Sequence, residues 1–112
     1  MTNEKQEMIL CIVNSGFSDT VMNAARGEGA KGGTVFSGRG TANKEAEQFF
    51  GITVQPEKDI VMLLVPAKIK DKVLHAIYKN AGQQTEAQGI AFSVPVNAVV
   101  GIAPKDEEKI EE

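Results

Sequence analysis

The sequence predicts a single α+β domain in which four strands form a mostly antiparallel sheet and two helices cover one of its faces. Three observations lead to this class. Residues 8–13 and 60–65 are unbroken apolar runs of strand length, two other segments repeat apolar residues at helical spacing, and the elements follow in the order βαββαβ. At 112 residues the chain has the length of one domain.

The first strand, residues 8–13, leads through a turn into the first helix. Ser18 is the expected N-cap, because its hydroxyl can accept from free backbone N–H groups, and Asp19 follows where a carboxylate favours the helix dipole. Gly29 is placed to end the helix. The apolar residues that share one face of it are Phe17, Val21, Met22 and Ala25.

Residues 29–41 include five glycines, which lie on both sides of a short strand-forming run, residues 34–37. Glycines of this kind mark places where the backbone turns tightly or approaches another group. Arg39 adds a fixed positive charge, so backbone N–H groups, a guanidinium and hydroxyls could together receive an anion such as phosphate. A plain strand between two turns is the alternative, and the residue types alone favour it.

Residues 41–58 are expected to form a long loop, since the pattern of strand and helix is lost there. The adjacent Phe49 and Phe50 are the apolar exception within it. They either attach the loop to the body of the domain or lie at a surface that contacts a ligand or a partner.

The second half repeats the order of the first. The third strand, residues 60–65, stops at Pro66, and a helix that ends near Gly82 follows it. The fourth strand, residues 89–94, is expected at an edge or bend because Pro95 cannot donate to a ladder. The apolar face of the helix consists of Ile69, Val73, Ala76, Ile77 and Ala81, and a short final strand is expected at Val99, Val100 and Ile102.

This order describes a ferredoxin-like split βαβ sandwich with both helices on one face of the sheet. The first and third strands nevertheless look apolar on both faces. Self-association that packs sheets together is the simplest way to cover the second face.

Composition excludes several classes of function. The net charge is −3, with no Trp, and the acidic tail, residues 104–112, is expected to be solvated, so nucleic-acid binding is excluded. Residues 1–7 are polar and expected to be disordered, and no apolar run is long enough to span a bilayer. We therefore expect a cytoplasmic protein, in which the lone Cys11 is a small core residue.

Nothing in the sequence predicts catalysis or a metal site. Cys11 lies within a strand, Ser37 lacks a strand-to-helix elbow, and His75 stands alone on a helix flank without a second ligand at suitable spacing. The expected class is a binding or sensing protein rather than an enzyme.

Three segments in register, residues 32–41, 60–66 and 89–96, resemble the P-II signal-transduction family, and more closely its P-II-like members. The similarity extends over residues 8–102. It implies a homotrimer whose sheets face a central barrel, adenine-nucleotide binding in the clefts between subunits, and a long loop that docks on a target such as a transporter or an enzyme.

The resemblance also assigns residues to this cleft. Thr34 matches a threonine near the adenine, Arg39 and Gly40 match a lysine and a glycine that face the phosphates, Leu64 matches an apolar residue of the base pocket, and Gly89 matches the last glycine of a phosphate-binding turn. The complete set of expected ligand-binding residues is Thr34, Ser37, Gly38, Arg39, Gly40, Thr41, Leu64, Gly89, Ile90, Ala91 and Phe92.

The chain also departs from the family pattern. Ile90 stands where the family has a phosphate-binding lysine, and Gly101 and Ala103 stand in place of two arginines. The loop has no tyrosine for uridylylation. Each lost charge-assisted hydrogen bond removes about 1.5–3 kcal/mol, so ADP, AMP, a cyclic nucleotide or a different small anion is expected in preference to ATP.

Two functions therefore remain open. In the first, a trimeric P-II-like regulator reorders its loop when a small ligand binds. In the second, a trimeric scaffold or metal-responsive protein of similar fold has vestigial clefts. Arg39 distinguishes them, because only the first function requires it for ligand-dependent protection of the loop.

Overall fold

The computed structural model describes residues 4–41 and 56–102. Phe49 and Phe50, most of the expected loop, Ala103 and the acidic tail at 104–112 lie outside the described residues. The elements are β1 (Gln6–Asn14), α1 (Ser18–Gly27), β2 (Gly33–Arg39), β3 (Glu57–Pro66), a 3-10 turn (Ala67–Ile69), α2 (Lys70–Ala81) and β4 (Ile90–Val96).

The four strands form one antiparallel sheet in the order β2-β3-β1-β4. This order, together with the two helices, confirms the predicted ferredoxin-like α+β fold. The two apolar runs noted in the sequence become the central strands, and β2 and β4 form the edges. Pro95 lies in β4, so the prediction that it belongs to an edge is confirmed.

One face of the sheet packs against both helices and carries the core. Alternate residues of β1 and β3, such as Cys11 and Val61, are fully buried there because successive side chains of a strand point to opposite faces. The helices contribute Val21 and Ala25 from α1, and Val73 and Ile77 from α2.

The opposite face of the sheet is apolar, and neither of the helices within residues 4–41 and 56–102 covers it. Residues that pair across antiparallel strands share a face, and the register places the even-numbered residues here. We call this surface the open face. It consists of Met8, Leu10, Ile12, Phe36, Ile60, Met62, Leu64, Ile90, Phe92 and Val94.

The start of α1 differs from the prediction. The N-cap is Phe17 rather than Ser18, and it makes no side-chain cap hydrogen bond. The carbonyl of Phe17 accepts from the N–H of Val21, and its ring packs against the core, so the helix begins one residue earlier than hydroxyl preference indicates. Asp19 lies in the first turn as expected.

The end of α1 is a Schellman motif. Gly29, at a φ of +108°, donates to Arg26, and the next N–H, from Ala30, donates to Ala25. The expected role of Gly29 is therefore confirmed.

The sheet also differs from the prediction at the ends of its strands and after β4. β1 begins at Gln6, within the segment expected to be disordered, because Gln6 pairs with both neighbouring strands and is only 6% exposed. β3 begins at Glu57, inside the expected loop. No strand forms at residues 97–102, where Gly101 has a φ of +106° and Val100 is exposed.

Candidate functional site

Ten of the eleven expected ligand-binding residues fall into two groups on opposite edges of the sheet, and Leu64 lies on the central strand β3. Residues 34–41, on β2 and just beyond it, form the β2 half-site, and residues 89–92, at the start of β4, form the β4 half-site. The antiparallel register brings the end of β2 and the start of β4 to the same end of the sheet. Two strands separate the half-sites, so one chain does not bring them together.

The β2 half-site ends where the two arms of the long loop meet. The N–H of Gly40 donates to the carbonyl of Pro56 at 2.6 Å, which closes the loop at its base. Arg39 pairs in register with Glu57, an opposite charge, and both are exposed. A Cβ at Gly38 would lie 2.6 Å from Ile60 Cδ1, so the glycine permits close packing of β2 on β3. We call Gly40, Thr41 and residues 56–58 the loop stem.

Thr34 and Leu64 line one groove. Its volume is about 600 Å³, and the segment that follows β4 forms its far wall. The two residues that the family resemblance assigns to a base pocket are therefore neighbours. The rest of the lining consists of Met8, Gly32, Gly33, Met62, Leu63, Val96, Ala98, Val99 and Val100.

Ser37 lies apart from that groove, because it pairs with Asp59 and so faces away from the open face. In the β4 half-site, Ile90 and Phe92 are exposed on the open face, whereas the side chain of Ala91 packs against the core. A ligand at this half-site can therefore contact Ala91 only through its backbone.

The turn between α2 and β4, residues 82–89, is held by its own hydrogen bonds. The N–H groups of Thr85, Gln88 and Gly89 donate to carbonyls of Gly82, Thr85 and Ala81. Gln83 Nε2 donates to the carbonyls of Gln88 and Gly89 at 2.8 and 3.2 Å. These three backbone donors are therefore already used within the protein, and an anion at this turn could not receive them without opening it.

Gly89 is required by close packing rather than by an unusual φ. A Cβ there would overlap the carbonyl oxygen of Ala81 and lie 2.9 Å from Val13 Cγ1. We expect Gly89→Ala to lower the free energy of unfolding by about 3 kcal/mol, because a backbone carbonyl cannot move aside and the Gly89–Ala81 hydrogen bond is lost. Urea denaturation measures this.

Gly32→Ala is the matched control, since a Cβ at Gly32 meets nothing within 4 Å. A Gly89→Ala protein as stable as the Gly32→Ala protein would contradict the packing described here.

Sequence reasoning missed a polar group between the two half-sites. Asn14, treated only as the start of a turn, is 6% exposed and bonds to Lys58 and to the backbone of Glu86. Asp59 Oδ2 accepts from the N–H of Gly16 at 3.0 Å. The available signal was an amide directly after the apolar run of β1, where a buried polar side chain needs partners.

Cys11 is buried in the core and is not available for covalent chemistry at these half-sites. Burial raises the pKa of the Cys11 thiol to about 11, so it stays protonated and a poor nucleophile at neutral pH. Within residues 4–41 and 56–102, no three His, Cys, Asp or Glu side chains come together as metal ligands. In the same residues, no helix is long and apolar enough to cross a membrane.

Comparison with known proteins identifies the family. The model of the nitrogen regulatory protein P-II family matches residues 6–106, so the chain belongs to this family and the resemblance stated above is confirmed. Its members are regulatory signalling proteins rather than enzymes, and they form homotrimers that bind small-molecule effectors. The chain is therefore a P-II-type regulatory signalling protein. A search of curated proteins finds no match.

Solved structures share the fold. PII from Arabidopsis thaliana, bound to citrate, has a TM-score of 0.67 and 21% identity, with 89% of this chain and 82% of that chain covered. A PII-like signalling protein from Thermus thermophilus has a TM-score of 0.64 and 14% identity, with 86% of this chain and 90% of that chain covered. At these identities, the similarity establishes the architecture only.

Proposed function

We propose that this protein is a homotrimeric regulator that binds an adenine nucleotide, ADP or AMP in preference to ATP, in the clefts between its subunits. Occupancy of the clefts changes the long loop and so regulates a target protein, a membrane transporter or an enzyme. The family assignment further suggests a cytoplasmic role in nitrogen regulation.

The division of the candidate site carries this proposal. The β2 and β4 half-sites lie at the same end of the sheet but on opposite edges. A second copy that presents its β4 edge to the first copy's β2 edge would complete the site. A cyclic trimer repeats this contact three times and leaves no edge unmatched.

The open face supports the same assembly. It carries ten large apolar side chains, among them Phe36, Ile90 and Phe92, which are each at least 45% exposed in the single chain. A contiguous apolar surface of this kind is unusual on a monomer and typical of a subunit interface. Sheets that face inward in a trimer would remove it from water.

The choice among nucleotides follows from the available cations and donors. Arg39 is the basic residue of the β2 half-site, and the β4 half-site has Ile90 at its start. Three backbone donors of the turn at 82–89 are used internally. A ligand with one or two phosphates needs fewer cationic contacts than ATP does, which supports ADP or AMP as the ligand.

The same turn favours a second candidate function, a trimeric scaffold with vestigial clefts. Gln83 Nε2 and three backbone N–H groups bond within the protein at this turn, which supports a turn that is ordered without a ligand. In this case the loop would bind its partner whether or not a nucleotide is present.

Two measurements test these functions, and the second of them separates one function from the other. Light scattering on the purified protein gives its mass, for which we expect three times the 12.0 kDa of one chain. A thermal-shift panel with ATP, ADP, AMP and cyclic nucleotides then tests the clefts. A ligand at a hundred times its dissociation constant adds about 2.7 kcal/mol of stability. We expect ADP or AMP to give the largest shift.

A trimer that no nucleotide stabilises would favour the scaffold. A larger shift with ATP than with ADP would contradict the argument from missing cations. A monomer would contradict the assignment of both the clefts and the open face.

A further inference from the structure

Asn14 lies between the two half-sites and is bonded in both directions. It ends the central strand β1, and its side chain is almost completely buried. Its Oδ1 accepts from Lys58 Nζ at 2.7 Å, on the side of the loop stem. Its Nδ2 donates to the carbonyl of Glu86 at 2.9 Å, and its backbone N–H donates to the carbonyl of Ala87 at 2.9 Å, both within the turn before β4.

The chemistry of this position suits an amide. An ammonium group can only donate and a backbone carbonyl can only accept, so the side chain between Lys58 and Glu86 must accept on one side and donate on the other. A carboxylate would satisfy the lysine but would face the carbonyl of Glu86 with a second acceptor. The two partners therefore also fix which amide atom points to which side.

The chain of contacts continues beyond Asn14 on each side. Lys58 lies against Gly40, where an added Cβ would be 2.9 Å from Lys58 Cε, so this lysine contacts both arms of the loop stem. On the other side, Gln83 ties the turn to the carbonyl of Gly89, the first residue of the β4 half-site. This series of contacts, from Gly40 through Lys58 and Asn14 to the turn and Gly89, thus connects one half-site to the other.

We propose that Asn14 is a positioning residue that couples the state of the turn at 82–89 to the loop stem of the same chain. This inference extends the proposed function, in which the two half-sites of one chain belong to two different clefts. A change in the turn at one cleft would move the carbonyl of Glu86 and with it the side-chain amide of Asn14. The hydrogen bond from Lys58 to Asn14 would then change, and so would the contact of Lys58 with Gly40 in the loop stem at the other cleft. Neighbouring clefts would communicate by this route within each chain.

Hydrogen–deuterium exchange of the whole protein without ligand tests the coupling. Gln83→Ala removes two hydrogen bonds inside the turn, and the exchange of peptides that cover Gly40 and residues 56–59 is the measured response. In the wild-type background, we expect the substitution to speed exchange there by about threefold or more. In an Asn14→Asp or a Lys58→Met background, each of which breaks one link, we expect it to change exchange by less than about 1.5-fold.

Asn80→Asp is the matched control background. The Asn80 amide also donates to a carbonyl, that of Ala76 at 2.8 Å, but on the exposed side of α2. There the effect of Gln83→Ala should stay at the wild-type level. A purely structural role for Asn14 would raise exchange in the Asn14→Asp protein by itself, yet would leave the response to Gln83→Ala unchanged.

An equal response in the Asn14→Asp and wild-type backgrounds would overturn the coupling, and so would no response in either. A rise of exchange in α1 as well would mean that Gln83→Ala loosens the whole domain. Thr85→Ala is then used instead, because Thr85 Oγ1 donates a hydrogen bond to the carbonyl of Gly82 at 2.8 Å within the same turn. Because no nucleotide is added, failure here is distinct from a failure of the proposed function, which the mass and the thermal-shift panel decide.

Discussion

A Leu10→Glu protein is expected to be a monomer with the mass of one chain, where the wild-type protein is expected to be a trimer. Leu10 lies at the centre of the open face, paired with Met62 on one side and Phe92 on the other. If three sheets pack against one another, a carboxylate at this point loses its water without gaining a partner. The cost is several kcal/mol for each buried charge, repeated three times in the assembly.

The fold of the single chain should survive this substitution, because Leu10 points away from the helices and is not part of their core. Light scattering measures the mass, and far-ultraviolet circular dichroism verifies the secondary structure. Tyr78→Glu is the control, since Tyr78 is 60% exposed on α2, away from the open face. A Leu10→Glu protein that keeps the wild-type mass would exclude the open face as the interface.

An Arg39→Ala protein is expected to bind ADP about 10- to 100-fold more weakly than wild type and to lose ADP-dependent protection of the loop from proteolysis. Arg39 is the cation that the β2 half-site offers to a phosphate, and a guanidinium makes charge-assisted hydrogen bonds worth about 1.5–3 kcal/mol each. Isothermal titration with ADP measures the affinity, and limited proteolysis with and without ADP measures the protection.

Two further variants separate charge from geometry. Arg39→Lys keeps the charge but cannot bind a phosphate with two parallel donors, so an intermediate loss is expected. Arg26→Ala removes a cation from the last turn of α1, outside both half-sites, and should bind ADP as wild type does. Equal affinity of the Arg39→Ala and Arg26→Ala proteins for ADP would exclude Arg39 as the phosphate contact. No measurable ADP binding by the wild-type protein would favour the scaffold with vestigial clefts.

Most of the fold could be predicted because its signals are local. The apolar runs that became β1 and β3 can be recognised within six residues, and the face of α2 with Val73 and Ile77 repeats at three and four residues. Gly29 could be assigned to a helix end because few other residues tolerate a φ of +108°.

Signals that depend on partners distant in sequence were missed. Asn14 is 44 residues from Lys58 and 72 from Glu86, so its role exists only once the register of three strands is known. The preference of Ser18 for an N-cap is worth about 1 kcal/mol, and the packing of Phe17 against the core outweighed it. The final strand expected near Val100 did not form. Apolar residues alone do not make a strand, because a strand also needs a neighbouring strand with which to pair.

The division of the ligand-binding residues between two edges could not be derived from spacing. Thr34 and Leu64 are 30 positions apart and share a groove, whereas Arg39 and Gly89 occupy opposite edges at one end of the sheet. Only strand order distinguishes these cases, and strand order is a property of the whole chain.

The proline in β4 has a consequence for the newly made chain before it meets its partners. β4 is an uncharged edge strand with three exposed apolar residues, Ile90, Phe92 and Val94, the kind of segment that adds strands from other molecules and starts aggregates. Pro95 has no N–H to offer to an incoming strand, which interrupts that growth. A proline at this position opposes the addition of further strands to an apolar edge, and leaves the side chains of that edge available for specific contacts.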